Sequence, residues 1–235
     1  MRRVPIIRPT HPHPCGYFND RQANNDYLHP DIKPDIELLS LLNLSGFRRS
    51  GVNIYRPACA GCQACVSVRI PAHRFQLKRR FRRTLKALKH WQLSVEEPSM
   101  RFYPLYARYI SARHSEGSMY PPSTREFRQF LITGYDTGRF LVARENGQVR
   151  AVLVFDQLND GLSSVYCFFD PEYSQVSPGI FLITNLTRLT QMLGLHYHYL
   201  GYWVKGCDKM SYKQDFSPLQ YFIDRKWQEL SQNEL

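Results

Sequence analysis

The sequence contains no long apolar segment. No run of about 18 consecutive apolar residues occurs, which excludes a helix that spans a bilayer. The N-terminal stretch MRRVPIIRPTHPHPCG begins with basic residues, but prolines interrupt its short apolar part, so it does not read as a secretory signal peptide. We therefore expect a cytoplasmic protein, in which the six cysteines stay reduced and do not form disulfides.

Acidic residues and glycines are also few. The chain has 20 Asp and Glu against 31 Lys and Arg, and its net charge is +11. This excess favours a polyanionic partner such as a nucleic acid, although a basic surface that only maintains solubility would have the same composition. No glycine-rich loop, internal repeat or low-complexity tract is present. Hydrophobic residues make up 43% of the chain, enough for a packed core.

The order of predicted elements divides the chain at residue 98. Residues 1–98 are rich in loops and hold four of the cysteines, together with a short apolar helix that ends at Gly46. Residues 99–235 predict two helices, the second beginning with a capping box at Ser123, and then three antiparallel strands joined at ENGQ and NDG. The loop SQVSPGIF, a helix at 180–193 and a strand at 196–203 follow. We expect an α+β fold whose C-terminal domain is a GNAT-like acyltransferase with a mixed, largely antiparallel sheet.

Residues 78–91, KRRFRRTLKALKHW, predict an amphipathic helix with a strongly positive exposed face. Phe81, Leu85 and Leu88 recur at helical spacing, and seven lysines and arginines occupy most of the other positions. This face is suited to tracking phosphates, but a merely solvated basic helix has the same pattern.

The cysteines of the N-terminal part are spaced like metal ligands. Cys59, Cys62 and Cys65 form a C-x-x-C-x-x-C pattern, and Cys15 is the candidate for a fourth ligand. The spacing suits zinc as well as an iron-sulfur cluster, and the sequence does not separate them. The alternative is that these cysteines are small buried hydrophobic residues. A site with four protein ligands has no open position, so we expect a structural or redox-sensing role.

Three segments resemble one protein family. They are GFRRSGVNIYRPACAGCQACVSVRI, SSVYCFFDPEYSQVSPGIFLI and YLGYWVKGCDKMSYKQDFSP, and with HPCGYF they extend from residue 13 to about 222. They are similar to the signatures of the arginyl-tRNA-protein transferase family, most of all to its bacterial branch, the aspartate/glutamate leucyltransferases. Phe18 and Gln63 depart from the eukaryotic cysteine pattern, so Cys59 and Cys65 would replace the missing thiolates.

The resemblance implies transfer of leucine from leucyl-tRNA to the N-terminal Asp or Glu of a protein, which marks that protein for degradation by the N-end rule. The transfer needs no cofactor, because the aminoacyl ester is already activated. Asp170 would orient or deprotonate the attacking amine, unless it only starts the turn before Pro171. Tyr166 and Tyr202 would donate hydrogen bonds to the oxyanion or the leaving ribose hydroxyl, although simple packing is the alternative for each.

The substrate-binding candidates follow from the same chemistry. Arg48 and Arg49 would extend the tRNA surface of the basic helix. The acceptor carboxylate requires a cation, for which Lys209, Lys213 and Arg48 are candidates, the two lysines being four residues apart on one helical face. Tyr212 and the loop residue Gly179 complete the predicted binding set.

Three other functions remain open from the residues alone. The donor would be arginyl-tRNA in a close relative. An acetyl-CoA enzyme of the GNAT type would normally have a fuller glycine loop than SQVSPGIF, which disfavours this alternative. A cysteine-metal module that binds tRNA without catalysis would bind charged and uncharged tRNA alike.

Overall fold

A computed structural model describes residues 4–117 and 119–230. The first three residues, which include the two N-terminal arginines considered above, lie outside the described part, as do residue 118 and residues 231–235. In the described part no helix combines the length and apolar character needed to cross a membrane.

Short strands and one helix make up the N-terminal part, and longer strands follow. The strands are β1 (Ile6–Ile7), β2 (His13–Pro14), β3 (Gln22–Ala23), β4 (Asn25–Leu28), β5 (Arg48–Ser50), β6 (Asn53–Pro57), β7 (Cys65–Pro71), β8 (Gln92–Glu96), β9 (Gly138–Glu145), β10 (Gln148–Gln157), β11 (Gly161–Phe169), β12 (Tyr197–Val204), β13 (Gln220–Ile223) and β14 (Lys226–Glu229). The α-helices are α1 (Ile36–Leu44), α2 (Arg79–Ala87), α3 (Tyr103–Arg113), α4 (Thr124–Phe127), α5 (Pro178–Met192) and α6 (Asp208–Ser211).

The central feature is an eight-stranded mixed sheet in the order β14-β13-β7-β12-β11-β10-β9-β8. Its neighbouring strands are antiparallel except β11 and β12, which run parallel. A four-stranded sheet, β1-β4-β6-β5, and the small β2-β3 pair lie beside it. One hydrophobic core fills the face covered by α2 and α5, and a second fills the face covered by α3 and α4.

β11 and β12 pair over three residues and then diverge. Gly161, Leu162 and Ser163 pair with Tyr197, His198 and Tyr199, and no register pair between the two strands follows within the described chain. Gly161 allows β11 and β12 to approach closely at their first pair, because a Cβ at this position would overlap the carbonyl oxygen of Tyr197. Val154 of β10 pairs with Tyr166 and Phe155 with Ser164, so Val165 is the extra residue of a β-bulge. The sheet therefore opens between β11 and β12 just where β11 bulges.

The predicted elements are largely present. Gly46, at φ +84°, ends α1 in the left-handed conformation that glycine adopts readily. The Oγ atom of Ser123 accepts the Glu126 N–H, as the capping box predicts, but α4 becomes a π-helical turn at 128–132. Asn146 and Gly147 have positive φ in the ENGQ turn, and β9, β10 and β11 form the predicted antiparallel meander.

The α+β fold class with a mixed, largely antiparallel sheet is confirmed. Residues before and after position 98 share this sheet, because β7 and β8 lie in it with the strands of the C-terminal half. The division into domains at 1–98 and 99–235 stays a prediction.

Candidate functional site

The buried amine of Lys213 lies against β12, beyond the last residue that pairs with β11. Lys213 is 6% exposed, and its Nζ donates a hydrogen bond to the carbonyl oxygen of Tyr202 in β12 at 2.5 Å. A Cβ on Gly201, which has φ +80°, would lie 3.7 Å from this Nζ. Burial, with a contribution from the charge of Arg48, lowers the pKa of Lys213 to about 7. No carboxylate of the described residues forms an ion pair with it, so the site holds an uncompensated amine.

The N-terminus of α5 lies beside the end of β11. Ser177 precedes this helix at φ +57° and makes no side-chain cap bond, and Pro178 is its first residue. A Cβ on Gly179 would lie 3.9 Å from the Sγ of Cys167, an ordinary contact, so sterics do not require glycine there. The half-buried ring of Tyr212 packs on the same core as Cys167, and burial raises the pKa of its hydroxyl. Gly179 thus lies beside β11 and Tyr212 packs on the same core, and their substrate-binding roles stay predictions.

Tyr166 follows the bulge residue Val165, and its hydroxyl makes no hydrogen bond within the described chain. The oxygen is buried and has no hydrogen-bond partner among residues 4–117 and 119–230, and burial raises its pKa. Its ring contacts those of Tyr106 and Phe130, with centroids 6.3 and 5.2 Å away. A buried hydroxyl without a partner is costly to the fold, and the catalytic role of Tyr166 stays a prediction.

Tyr202 differs from Tyr166, because its hydroxyl is already bonded. The oxygen lies 2.9 Å from the carbonyl of Gly46 and 3.2 Å from that of Tyr55, and the side chain is buried. Burial raises its pKa well above the ordinary value. The predicted catalytic donation from this hydroxyl conflicts with these bonds, which tie β12 to the N-terminal part of the chain.

Asp170 is a buried ion-pair residue at a turn. Its Oδ2 accepts from Arg150 at 3.0 Å and from Arg108 at 3.3 Å, and its Oδ1 accepts from the Glu172 N–H at 3.4 Å. The side chain is 1% exposed and begins the 3₁₀ turn at Pro171–Val176. Two guanidinium groups thus bond to the carboxylate, and its role in orienting or deprotonating the amine stays a prediction. The alternative prediction, a turn-starting Asp, is the arrangement observed.

Arg48 lies in an aromatic enclosure. Its NH1 donates to the backbone carbonyls of Asn43 and Phe47 at 3.0 and 2.6 Å, while Nε and NH2 are buried without partners within the described chain. The guanidinium carbon lies 5.2 Å from the ring centre of Tyr199 and 5.9 Å from that of Tyr202. Burial lowers its pKa. Because Arg48 is 4% exposed, the prediction that it contacts the tRNA surface is wrong.

Arg49 is part of a buried ion pair. Its Nε donates to Oδ2 of Asp156 at 2.7 Å and its NH1 to the carbonyl of Gly51 at 3.1 Å. Both side chains of the pair are at most 3% exposed. The predicted tRNA contact is therefore wrong for Arg49 as well, since this cation holds β5 against β10.

Lys209 and Lys213 do not share an environment. α6 is a single turn that becomes a 3₁₀ turn at Tyr212–Asp215, so the four-residue spacing does not place both lysines on one face. Lys209 is exposed, and its charge contributes to a lowered pKa of His114 after burial and Arg113. Of the two lysines, only Lys213 is buried against β12.

The basic face predicted for 78–91 is present on α2. Phe81 is buried and stacks on Phe216 with ring centroids 4.7 Å apart, which fixes the helix to the segment after α6. Arg80 pairs with Asp215. The exposed cations of this face, which we call the α2 basic face, are Lys78, Arg79, Arg80, Arg82, Arg83, Lys86 and Lys89. A groove lined by Lys78, Arg80 and Tyr212 borders this face.

The four cysteines of the spacing pattern line one pocket of about 310 Å³ together with Tyr55 and Tyr202. The Asn24 N–H and the Arg21 guanidinium each lie 3.5 Å from a sulfur, those of Cys59 and Cys62. Among residues 4–117 and 119–230, no three His, Cys, Asp or Glu side chains are gathered as metal ligands. The donor chemistry fits a soft metal, but the sulfurs in this conformation do not surround one point. The pocket members predicted from the sequence are Cys15, Cys59, Cys62 and Cys65.

Burial and neighbouring thiols raise the pKa of Cys65 to about 12, whereas N–H donation from Ala64 and Arg21 lowers the pKa of Cys62. The two thiols of one pocket therefore differ in their tendency to ionise.

A half-buried serine at the opening was not among the predicted site residues. Ser164 follows the last paired residue of β11 and bonds to His198 of β12. A signal was present, since Ser164 lies in SSVYCFFDPEYSQVSPGIFLI, but one serine in a strand is not distinctive by itself.

The parallel pair that opens beside the N-terminus of a helix, within a largely antiparallel sheet, is the acyltransferase architecture of the GNAT type. Family models described as the N terminus and the C terminus of arginine-tRNA-protein transferase match residues 13–83 and 101–223. The chain belongs to this family, whose members are aminoacyl-tRNA-protein transferases.

Curated relatives and one solved structure extend the comparison. An aspartate/glutamate leucyltransferase of Pseudomonas paraeruginosa is 42% identical over 93% of this chain and 94% of its own. One of Alcanivorax borkumensis is 44% identical over 94% and 92%. The C-terminal domain of a putative lysylphosphatidylglycerol synthetase from Agrobacterium fabrum aligns with 71% of this chain and 52% of its own, at 15% identity and a TM-score of 0.43.

Proposed function

We propose that this protein transfers leucine from leucyl-tRNA to the N-terminal Asp or Glu of acceptor proteins, in the cytoplasm, and so marks them for degradation. The observation that carries the proposal is the buried amine of Lys213, which bonds to β12 beyond its last pair with β11 and forms no ion pair with a carboxylate of the described chain. The names of relatives that align along more than nine-tenths of the chain support leucine as the transferred amino acid.

The reaction requires positioning more than activation. The α-amine nitrogen of the acceptor forms a bond to the leucyl carbonyl carbon, and the bond from that carbon to the ribose oxygen breaks. The ribose oxygen leaves as a hydroxyl, with the proton that the amine loses. The pairing of β11 with β12 ends at Ser163. In the proposal, backbone N–H groups of β11 beyond this point stabilise the oxyanion of the tetrahedral intermediate.

Lys213 supplies the charge that an acidic acceptor needs. An ammonium group held in a buried site attracts a carboxylate more strongly than one in water, since the local dielectric is low. Binding of the acceptor carboxylate compensates the burial that lowers the pKa of this amine. Acceptors with a neutral first residue leave the amine uncompensated, so the same residue selects Asp and Glu.

The α2 basic face is the proposed track for the tRNA phosphates. Its arginines and lysines are exposed, and Arg80 alone among them forms an ion pair with an acidic side chain of the described residues. We place the acceptor end of the tRNA in the groove lined by Lys78, Arg80 and Tyr212, which borders this face. Phosphate contacts of this kind add affinity without reading sequence.

A structural zinc ion or an iron-sulfur cluster on Cys15, Cys59, Cys62 and Cys65 is a further part of the proposal. Four thiols on one pocket wall, with N–H donors towards two of the sulfurs, support it. A bound metal would hold the loops of the N-terminal part together. Elemental analysis and the absorption spectrum of anaerobically purified protein distinguish zinc, a cluster, and thiols that bind no metal.

One experiment tests the proposed transfer. The protein is incubated with leucyl-tRNA, arginyl-tRNA or acetyl-CoA and with peptides that begin with Asp, Glu or Ala, and product masses are measured. We expect leucine to be added to the Asp and Glu peptides only. Addition of arginine would show that the donor is arginyl-tRNA. Acetylated peptides would show that the protein is an acetyl-CoA enzyme. Binding of tRNA without any product would show that the protein is a tRNA-binding module.

A further inference from the structure

Ser164 and His198 are bonded across the point where β11 and β12 diverge. The Oγ of Ser164 lies 2.8 Å from Nε2 of His198, and Nδ1 of His198 lies 2.8 Å from the Oγ1 of Thr187 in α5. His198 and Thr187 are fully buried, while Ser164 is half-buried. The three side chains form a hydrogen-bonded chain that ends at the opening.

The position of each hydrogen in this chain follows from Thr187. Its Oγ1 lies 2.9 Å from the carbonyl oxygen of Ile183, and a carbonyl cannot donate, so the only hydroxyl hydrogen of Thr187 points to that carbonyl. Thr187 therefore accepts from Nδ1–H of His198. The neutral imidazole then has a lone pair on Nε2, and the hydroxyl of Ser164 must donate to it. Full burial lowers the pKa of His198 to about 3, which is consistent with a neutral ring.

We propose that Ser164, with its hydroxyl hydrogen held by His198, presents only lone pairs to the opening and accepts a hydrogen bond from the attacking α-amine of the acceptor. This inference rests on the proposed leucyl transfer. Ser164 would touch the substrate, whereas His198 and Thr187 are positioning residues. An oxyanion is excluded as the partner of Ser164, because it has no hydrogen to donate.

The spacing along the two strands fits a single acceptor residue. Ser164 is one residue beyond the last β11–β12 pair, and the Nζ of Lys213 lies next to Gly201, two residues beyond it. A strand advances by about 3.3 Å per residue. The amine and the side-chain carboxylate of one Asp or Glu are separated by a few bonds, and the proposal places the amine at Ser164 and the carboxylate at Lys213.

The hydrogen bond orients the amine without removing its proton permanently. A proton passed to His198 would create a charged imidazole in a fully buried position, which is strongly disfavoured. The amine proton therefore leaves with the ribose oxygen, as in the balanced transfer above, and the serine fixes the direction of the nitrogen lone pair.

Ser164→Ala is the direct test, with Ser163→Ala as the matched control, since the Ser163 hydroxyl bonds to Asn43 instead. We expect Ser164→Ala to reduce the transfer rate at saturating leucyl-tRNA by about tenfold or more, and Ser164→Thr to restore most of it. Affinity for a succinyl-terminated peptide, which has the carboxylate but no amine, should change less than twofold. An unchanged transfer rate in Ser164→Ala, or equal loss of affinity for the succinyl peptide, would overturn the inference.

Thr187→Val tests the positioning chain independently of activity. Nitrogen NMR of the wild-type protein should find His198 neutral at pH 6 with hydrogen on Nδ1, and Thr187→Val should move hydrogen towards Nε2 while lowering the transfer rate. Hydrogen on Nε2 in the wild type would overturn the inference. A wild-type protein that makes no leucylated peptide would instead refute the proposed function. The NMR result would still test the hydrogen-bonded chain of Ser164, His198 and Thr187.

Discussion

The Nζ of Lys213 lies 2.5 Å from the carbonyl oxygen of Tyr202, in β12 beyond its last pair with β11. This carbonyl is the acceptor that the structure records for the amine, and the nearest charge that acts on Lys213 is the cation of Arg48. Two neighbouring cations are thus buried in the same region. This arrangement destabilises the protonated lysine, and an added anion would relieve it.

Binding of an acidic ligand should therefore depend on pH through Lys213. Below its pKa of about 7 the amine is charged and attracts a carboxylate, and above that pH the charge is lost. We expect the affinity for a succinyl-terminated peptide to fall as the pH rises through about 7. Lys213→Met should weaken the affinity and flatten the profile, while tRNA affinity stays within about twofold. Lys33→Ala, which changes an exposed lysine, is the control, and an unchanged pH profile in Lys213→Met would refute the role.

The stability of the fold should depend on the same group, with a sign that follows from its pKa. Lys213 titrates near its ordinary 10.5 in the unfolded chain and near 7 in the folded protein. Between these values the unfolded state binds more protons, so this group makes unfolding less favourable as the pH rises. We expect Lys213→Met to raise the free energy of unfolding at pH 7 more than at pH 9. Urea titrations at both pH values measure the difference, and an equal effect at both would contradict it.

Arg49 should be essential for stability and not for tRNA binding. Arg49→Met leaves the carboxylate of Asp156 buried and unpaired, which we expect to cost about 3–5 kcal/mol. Arg56→Met is the control, because its pair with Asp26 at 3.3 Å is partly exposed, and a loss below about 1 kcal/mol is expected. Urea unfolding measures both. A tRNA affinity that drops in folded Arg49→Met protein, with little loss of stability, would reverse the assignment.

Charge on the α2 basic face should set the salt dependence of tRNA binding. Replacing Arg82 and Arg83 by Gln leaves two phosphates without a cation, so the affinity should fall equally for leucyl-tRNA and uncharged tRNA. The slope of log affinity against log salt concentration should become shallower by about 0.9 for each phosphate of double-stranded tRNA that is no longer neutralised. Arg188→Gln, an exposed arginine of α5, should change neither quantity. Full retention of affinity in the double variant would exclude this face as the tRNA surface.

The periodic and turn signals of the sequence predicted most of the fold. The meander, α5 and the basic helix followed from local patterns that the structure retains, because alternation, helical spacing and positive-φ turns are local properties. The burial of charged side chains could not be predicted from these local patterns. Arg48, Arg49 and Asp170 look in the sequence like surface charges, and their environments are formed by residues that are distant in the chain.

The candidate site was predicted in part. Lys213 is buried against β12, Gly179 lies beside β11 at the start of α5, and Tyr166 packs on the core covered by α3 and α4, while their roles stay predictions. The opening itself could not be predicted, because it depends on the register of β11 against β12 and on one extra residue at Val165. Ser164 and His198 become a related pair only when that register is known.

The position of β7 determines when this protein can assume its fold during synthesis. β7, at residues 65–71, pairs with β12 on one side and with β13 on the other. An early strand can therefore pair only after strands more than a hundred residues later in the chain have been synthesised. Pairing over such separations makes folding slow and leaves strand edges exposed meanwhile. A ribosome-bound chain that ends before residue 197 therefore lacks the strand that joins its two halves, and the opening can form only once β12 has emerged.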